Sequence, residues 1–212
     1  MVRKIVSTVE KGYSWFLGTI SHASGLPLLA LRIYLFPNLL QAGWRKFAAF
    51  EYHLDWFGDS LGLPFPWLMV VLAGLAEFGG AILLLMGWFT RLVAIPLMIT
   101  MLVAAFLVHG DKGWLTTSDA TSWLAGERVI EADKRRDEIN DIVREHGNYR
   151  ELTRFGRITM LTNGMQLAIT YFVMLLVLFF FGGGRYVSVD YWLSKGFNRW
   201  KVTYYDRKQN QT

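Results

Sequence analysis

The sequence predicts an all-α membrane protein: a polytopic four-helix bundle with flanking amphipathic helices and a small extramembrane helical cap. Three observations carry this. The run 67–88, WLMVVLAGLAEFGGAILLLMGW, holds a single charge, Glu77. An apolar run of about 20 residues is what a helix needs to cross a hydrocarbon core about 30 Å thick, and this one lacks the polar stripe of a soluble helix. Further apolar runs at 26–50, 91–109 and 163–181 complete four spans. The chain of 212 residues is 53% hydrophobic and 16% aromatic, which fits a membrane protein with soluble segments better than a water-soluble domain. Cysteine is absent, which excludes a dithiol relay, an iron–sulfur cluster or a thiolate metal site held by this chain alone.

Residues 1–25 read as an amphipathic helix lying on the membrane surface. Val2, Ile5, Val6 and Val9 recur at helical spacing, with Trp15 and Phe16 behind them. Ser7, Thr8, Glu10 and Lys11 interrupt any signal-peptide core, and no A-x-A site follows. In the first span, Pro27 suits the opening turn and Pro37 sits where it kinks a helix. Arg45 and Lys46 end that span and can snorkel to an interface. An acidic loop, 51–66, precedes the second span, and GWFTR turns the chain into the third, with Thr90 as its expected cap. The polar excursion 110–162 contains Glu127–Glu145, with Val129, Ala132, Ile139 and Val143 on one face. Opposite charges stand four residues apart at Glu131/Arg135 and Lys134/Glu138, as on a solvated helix. Gly182–Gly184 ends the fourth span, and 185–212 forms a basic interfacial tail. The domain from 26 to 184 thus includes the cap. The positive-inside rule puts Arg3, Lys4, Lys11, Arg91 and the basic tail in the cytoplasm, hence both termini there and the acidic loop and cap outside. The net charge of +5 reads as topology signal, and no nucleic-acid partner is expected.

Glu77 is the candidate working group. Its helical neighbours Ala73, Gly74, Gly80 and Ala81 are all small, so this face packs on protein rather than lipid. An ionisable group inside a bundle points to function; the plain alternative is a protonated Glu that only hydrogen-bonds a neighbouring helix. Counted from Trp88, Glu77 lies about 16 Å deep; counted from Leu26, Arg32 lies about 9 Å and Gln41 about 22 Å deep. Either could reach it, though the two sit on opposite helical faces unless Pro37 rotates the upper half. Asn38, Gln41 and Arg45 share a face of the first span, and Asn163, Gln166 and Thr170 share one in the fourth. Above Glu77 they could line a polar cavity open to the outside, with room for a quinone head group, a small anion or a proton path. Interhelical hydrogen bonding is the alternative use of such residues. No histidine lies deep in a span, so haem has no pair of axial ligands. His53, His109, Asp55 and Asp111 are metal-ligand types without tight spacing. Ordinary interfacial histidines are expected, no metal site is assigned, and Met98 and Met101 read as packing.

The chain resembles the DoxX family of small four-helix membrane proteins. The resemblance rests on LRIYLFPNLLQAGWRKF, LGLPFP and LAEFGGAILLLMGWFTR, and TNGMQLAITYFVMLLVLFFFGGGRYVSVDYWL is similar to the HvfX branch. It implies a bacterial inner-membrane protein, and it carries over Arg32, Lys46, Glu77 and Arg91, favouring Arg32 as the partner of Glu77. The HvfX branch implies handling of copper-binding ribosomal peptides; other DoxX relatives imply thiosulfate and quinone oxidoreduction. Lys46 joins the six polar residues above as the expected binding set. Two readings stay open: the membrane partner of an oxidoreductase or peptide-maturation system that binds quinone, and a non-catalytic scaffold or small-solute permease.

Overall fold

The computed structural model describes residues 2–209, and side chains over 10–18 and 20–201. The described residues are helical apart from turns, loops and one isolated bridge between Thr117 and Leu161. Among them, three helices are long and apolar enough to cross a membrane: Glu10–Ala48, Pro66–Met86 and Thr90–Val108. Gln166–Phe181, the fourth expected span, is a shorter apolar helix of 16 residues. The chain is a helical membrane protein. It divides into two compact units, Met1–Leu97 with Met174–Thr212, and Met98–Val173.

In the first unit, α1 (Val2–His22) and α2 (Gly25–Ala48) are separated only by a break at 23–24. The N-terminal segment is therefore helical as expected. Its predicted apolar residues Val2, Ile5, Val6 and Val9 lie outside the described side chains, while Trp15 and Phe16 are exposed. The short α3 (Phe50–Asp55) continues into a wider turn, closed by the Leu61 N–H on the Trp56 carbonyl at 3.1 Å. α4 (Pro66–Met86) starts on a proline, which lacks an N–H the first turn could not use. It stops at Gly87, whose φ of 67° suits glycine; there the N–H groups of Gly87 and Trp88 return to the carbonyls of Leu84 and Leu83. α5 (Thr90–Val103) follows. The core of this unit is built from pairs three or four residues apart: Leu35 and Leu39, Ala81 and Leu84, Ala94 and Leu97, Leu175 and Leu178. α2 and α4 approach each other through glycine. A Cβ on Gly43 would strike the Phe78 backbone, and one on Gly74 would meet the Phe47 ring at 2.8 Å.

The second unit is the cap region. α6 (Glu127–His146) is the predicted solvated helix; of its predicted apolar face only Val129 is fully buried. Glu131 pairs with Arg135 as expected, and Arg136 pairs with Asp133. Strands of extended chain enter and leave the cap side by side, tied by Ser118 N–H to Met160 C=O and Thr162 N–H to Thr116 C=O, both 2.9 Å. The Thr121 hydroxyl and N–H hold the Asp119 carboxyl below the ordinary carboxylate range. After the short α7 (Tyr149–Leu152), α8 (Gln166–Phe181) begins three residues later than the expected 163, because Asn163 takes a φ of 53° and Gly164 sits against the backbone of Trp114 and Leu115. Its end, returning to the first unit, leads to α9 (Val189–Gln209), the predicted tail helix.

Candidate functional site

Of the small residues around Glu77, Gly74 lets α2 come close while Gly80 packs on Leu97 of α5, and the α2 side chain that arrives opposite Glu77 is Lys46. The ammonium donates to the Glu77 carboxylate at 2.5 Å. Both groups are withdrawn from the surface: 6% of the Glu77 side chain and 14% of that of Lys46 remain exposed. Phe78, the next residue along α4, lies 6.2 Å from the Trp44 ring and 6.4 Å from that of Phe47. Trp44 itself is exposed, two residues before Lys46 on α2. His53, one turn beyond the end of α2, stands within electrostatic reach of Glu77. Its Nδ1–H donates to the Ala49 carbonyl at 2.8 Å, which leaves Nε2 as the free ring nitrogen. A carboxylate, an ammonium and an imidazole are thus gathered where α2, α3 and α4 meet. Such a set can pass a proton along a short chain of donors and acceptors.

Arg32 is not the partner of Glu77. It is completely buried and donates through Nη1 to the Leu85 carbonyl at 3.0 Å and through Nη2 to the Val187 carbonyl at 2.9 Å, with a longer contact to Leu84. The guanidinium closes the C-terminal end of α4, where the last carbonyls lack helical partners and the helix dipole favours a cation. The depth count failed because the two helices do not begin at one level. Arg32 meets Gly87, Gly43 meets Phe78, and Phe47 meets Gly74. In that antiparallel register Lys46, not Arg32, faces the middle of α4. Lys46, which could have snorkelled outward, turns inward to Glu77, the one member of the expected binding set that does.

The rest of the expected binding set separates. Asn38, Gln41 and Arg45 are exposed on the outer face of α2, and the Asn38 amide donates back to the Tyr34 carbonyl. They do not line a cavity over Glu77. Asn163, Gln166 and Thr170 belong to the other unit and are exposed there; the Thr170 hydroxyl donates to the Gln166 carbonyl, one turn back. His109 donates to the Asn163 carbonyl. Among the described residues, no three histidines or carboxylates are gathered as metal ligands.

Sequence reasoning missed one residue that holds the basic end together. Asp190, at the start of α9, accepts from the N–H groups of Phe89 and Thr90 at 2.8 and 2.9 Å. It caps α5, the role expected of Thr90, whose hydroxyl is buried without a hydrogen-bond partner. The Asp190 N–H also donates to the Gly87 carbonyl, and a Cβ on Gly183 would strike Ser188. The only available signal was the Ser-Val-Asp sequence at 188–190, a helix-start pattern, which does not say which helix the Asp caps.

Comparison with known proteins gives one match. The family model described as DoxX matches residues 27–110, which holds α2, α4, α5 and the Lys46–Glu77 pair. Neither the curated proteins nor the solved structures returned a match. The chain therefore carries a DoxX family domain over residues 27–110.

Proposed function

We propose that this protein is the membrane partner of an oxidoreductase system, and that Lys46, Glu77 and His53 form its proton-handling centre for a quinone head group. The observation that carries the reading is the buried Lys46–Glu77 ion pair at membrane depth. Burying two charges costs more than an apolar pair of similar volume would, so the pair is a poor stability device. Intramembrane carboxylates and ammonium groups mark proton or substrate sites. The chemistry suits a quinone: the Lys46 ammonium is a donor for a carbonyl oxygen, and Trp44 on the same helix exposes a ring. A quinone supplies two-electron, two-proton chemistry, and the electrons come from the partner oxidoreductase. Lys46 orients the ring carbonyl, and the Glu77 carboxylate relays the two protons of quinol formation one at a time from the loop side through His53. The resemblance of 162–193 to the HvfX branch supports copper-binding-peptide maturation as the setting. The basic ends support an inner-membrane orientation with both termini cytoplasmic.

A photoreactive quinone analogue, added to native membranes, tests this. Labelled peptides spanning Trp44–Lys46, lost in Lys46→Met, are expected. Label distributed equally in native protein and Lys46→Met overturns the quinone site. Solute flux through proteoliposomes of the chain alone would point to the permease instead.

A further inference from the structure

At the opposite end of the first unit from His53, a groove of about 700 Å³ opens where α5 begins and α8 gives way to α9. Its walls combine two chemistries. Leu28, Leu92 and Phe181 are apolar, and the last two are among the exposed side chains a membrane would cover. Arg91 and Arg185 are exposed and basic, and no ion pair or side-chain hydrogen bond engages either among the described residues. The one carboxylate in the wall, Asp190, already accepts from two backbone N–H groups of the α5 start. Gly182–Gly184 forms bare backbone between the arginines. Gly182 and Gly184 have φ of 75° and 93°, which any side chain would strain, and the Arg91 guanidinium lies beside Gly182.

We propose that this groove binds the phosphodiester head group of an anionic phospholipid, with Arg91 and Arg185 on the phosphate and the acyl chains along Leu28, Leu92 and Phe181. Charge complementarity selects an anion, and the apolar walls select an amphiphile over a free ion. A pair of uncommitted arginines at the edge of a membrane domain attracts anionic lipid in this way, each basic group strengthening binding about fivefold. The site is separate from the Lys46–Glu77 pair, so its failure would leave the proposed proton centre untouched.

The test uses the full chain in a mild detergent, with thermal unfolding followed by tryptophan fluorescence. Short-chain phosphatidylglycerol should raise the unfolding midpoint saturably. Phosphatidylcholine and inorganic phosphate should not. Arg91→Gln and Arg185→Gln should each weaken the apparent affinity about fivefold, while Arg135→Gln on α6 leaves it unchanged. Native mass spectrometry should show retained phosphatidylglycerol in the native chain and little in the double variant, both with unchanged helical circular dichroism. Equal stabilisation by phosphatidylcholine, an equal response to inorganic phosphate, or undiminished affinity in the double variant overturns the proposal.

Discussion

At the scale of residues, two buried cations on one helix serve different ends. Lys46 answers a carboxylate; Arg32 answers backbone carbonyls. Their substitutions should differ accordingly. Arg32→Met strips the cap from α4 and leaves carbonyls without donors, at a cost of about 3 kcal/mol in unfolding free energy. Glu77→Gln leaves the Lys46 ammonium buried without its counter-charge, at about 3–5 kcal/mol, and Lys46→Met does the same to Glu77. The double variant should lose far less than the sum, whereas Arg32→Met with Glu77→Gln should add. Thermal or denaturant unfolding in detergent measures both cycles; a coupled Arg32–Glu77 cycle would mean the pairing is wrong. Glu77 was legible in the sequence because a lone charge flanked by small residues cannot face lipid. Its partner was not, because depth counted along each helix says nothing about the relative height of two helices. That height is set by contacts such as Gly43 on Phe78, distant in sequence.

At the scale of elements, apolar runs located α2, α4, α5 and α8, and charge spacing located α6. Three features escaped. The near-continuity of α1 with α2 depends on whether residues 23 and 24 break a helix, which their side chains do not decide. The wider turns after α3 and α5 shift the helix by one residue through i to i+5 bonding, without a sequence signature. The cap on α5 comes from Asp190, a hundred residues away, while local reasoning offered Thr90. Glycine spacing on α4 was informative, and it separates positions by role. Gly43→Ala on α2 drives a methyl into the Phe78 backbone and should cost about 1–3 kcal/mol. Gly79→Ala meets nothing within 4 Å and should be neutral or stabilise α4 by about 0.5–1 kcal/mol. Unfolding midpoints of the two variants compare them directly; equal destabilisation would show that glycine serves flexibility rather than close approach.

At the scale of the whole molecule, the basic tail and the cap helix should lie on opposite sides of the membrane. Because the chain has no cysteine, single cysteines at the exposed positions Ser194 and Glu138 can be labelled by an impermeant maleimide in intact cells. Labelling of the Glu138 site alone is expected; labelling of the Ser194 site alone would reverse the topology, and labelling of both would put tail and cap on one side. Function at this scale reduces to whether the buried carboxyl takes part in turnover. The most direct measurement is the rate of quinol formation by native membranes carrying Glu77→Gln or Glu77→Asp, with equal amounts of folded protein. The proton-centre reading predicts at least about a hundredfold loss in Glu77→Gln, the low end for a removed acid–base group, and partial recovery in Glu77→Asp, which keeps a proton-accepting carboxylate on a shorter arm. Wild-type rates in Glu77→Gln would contradict it.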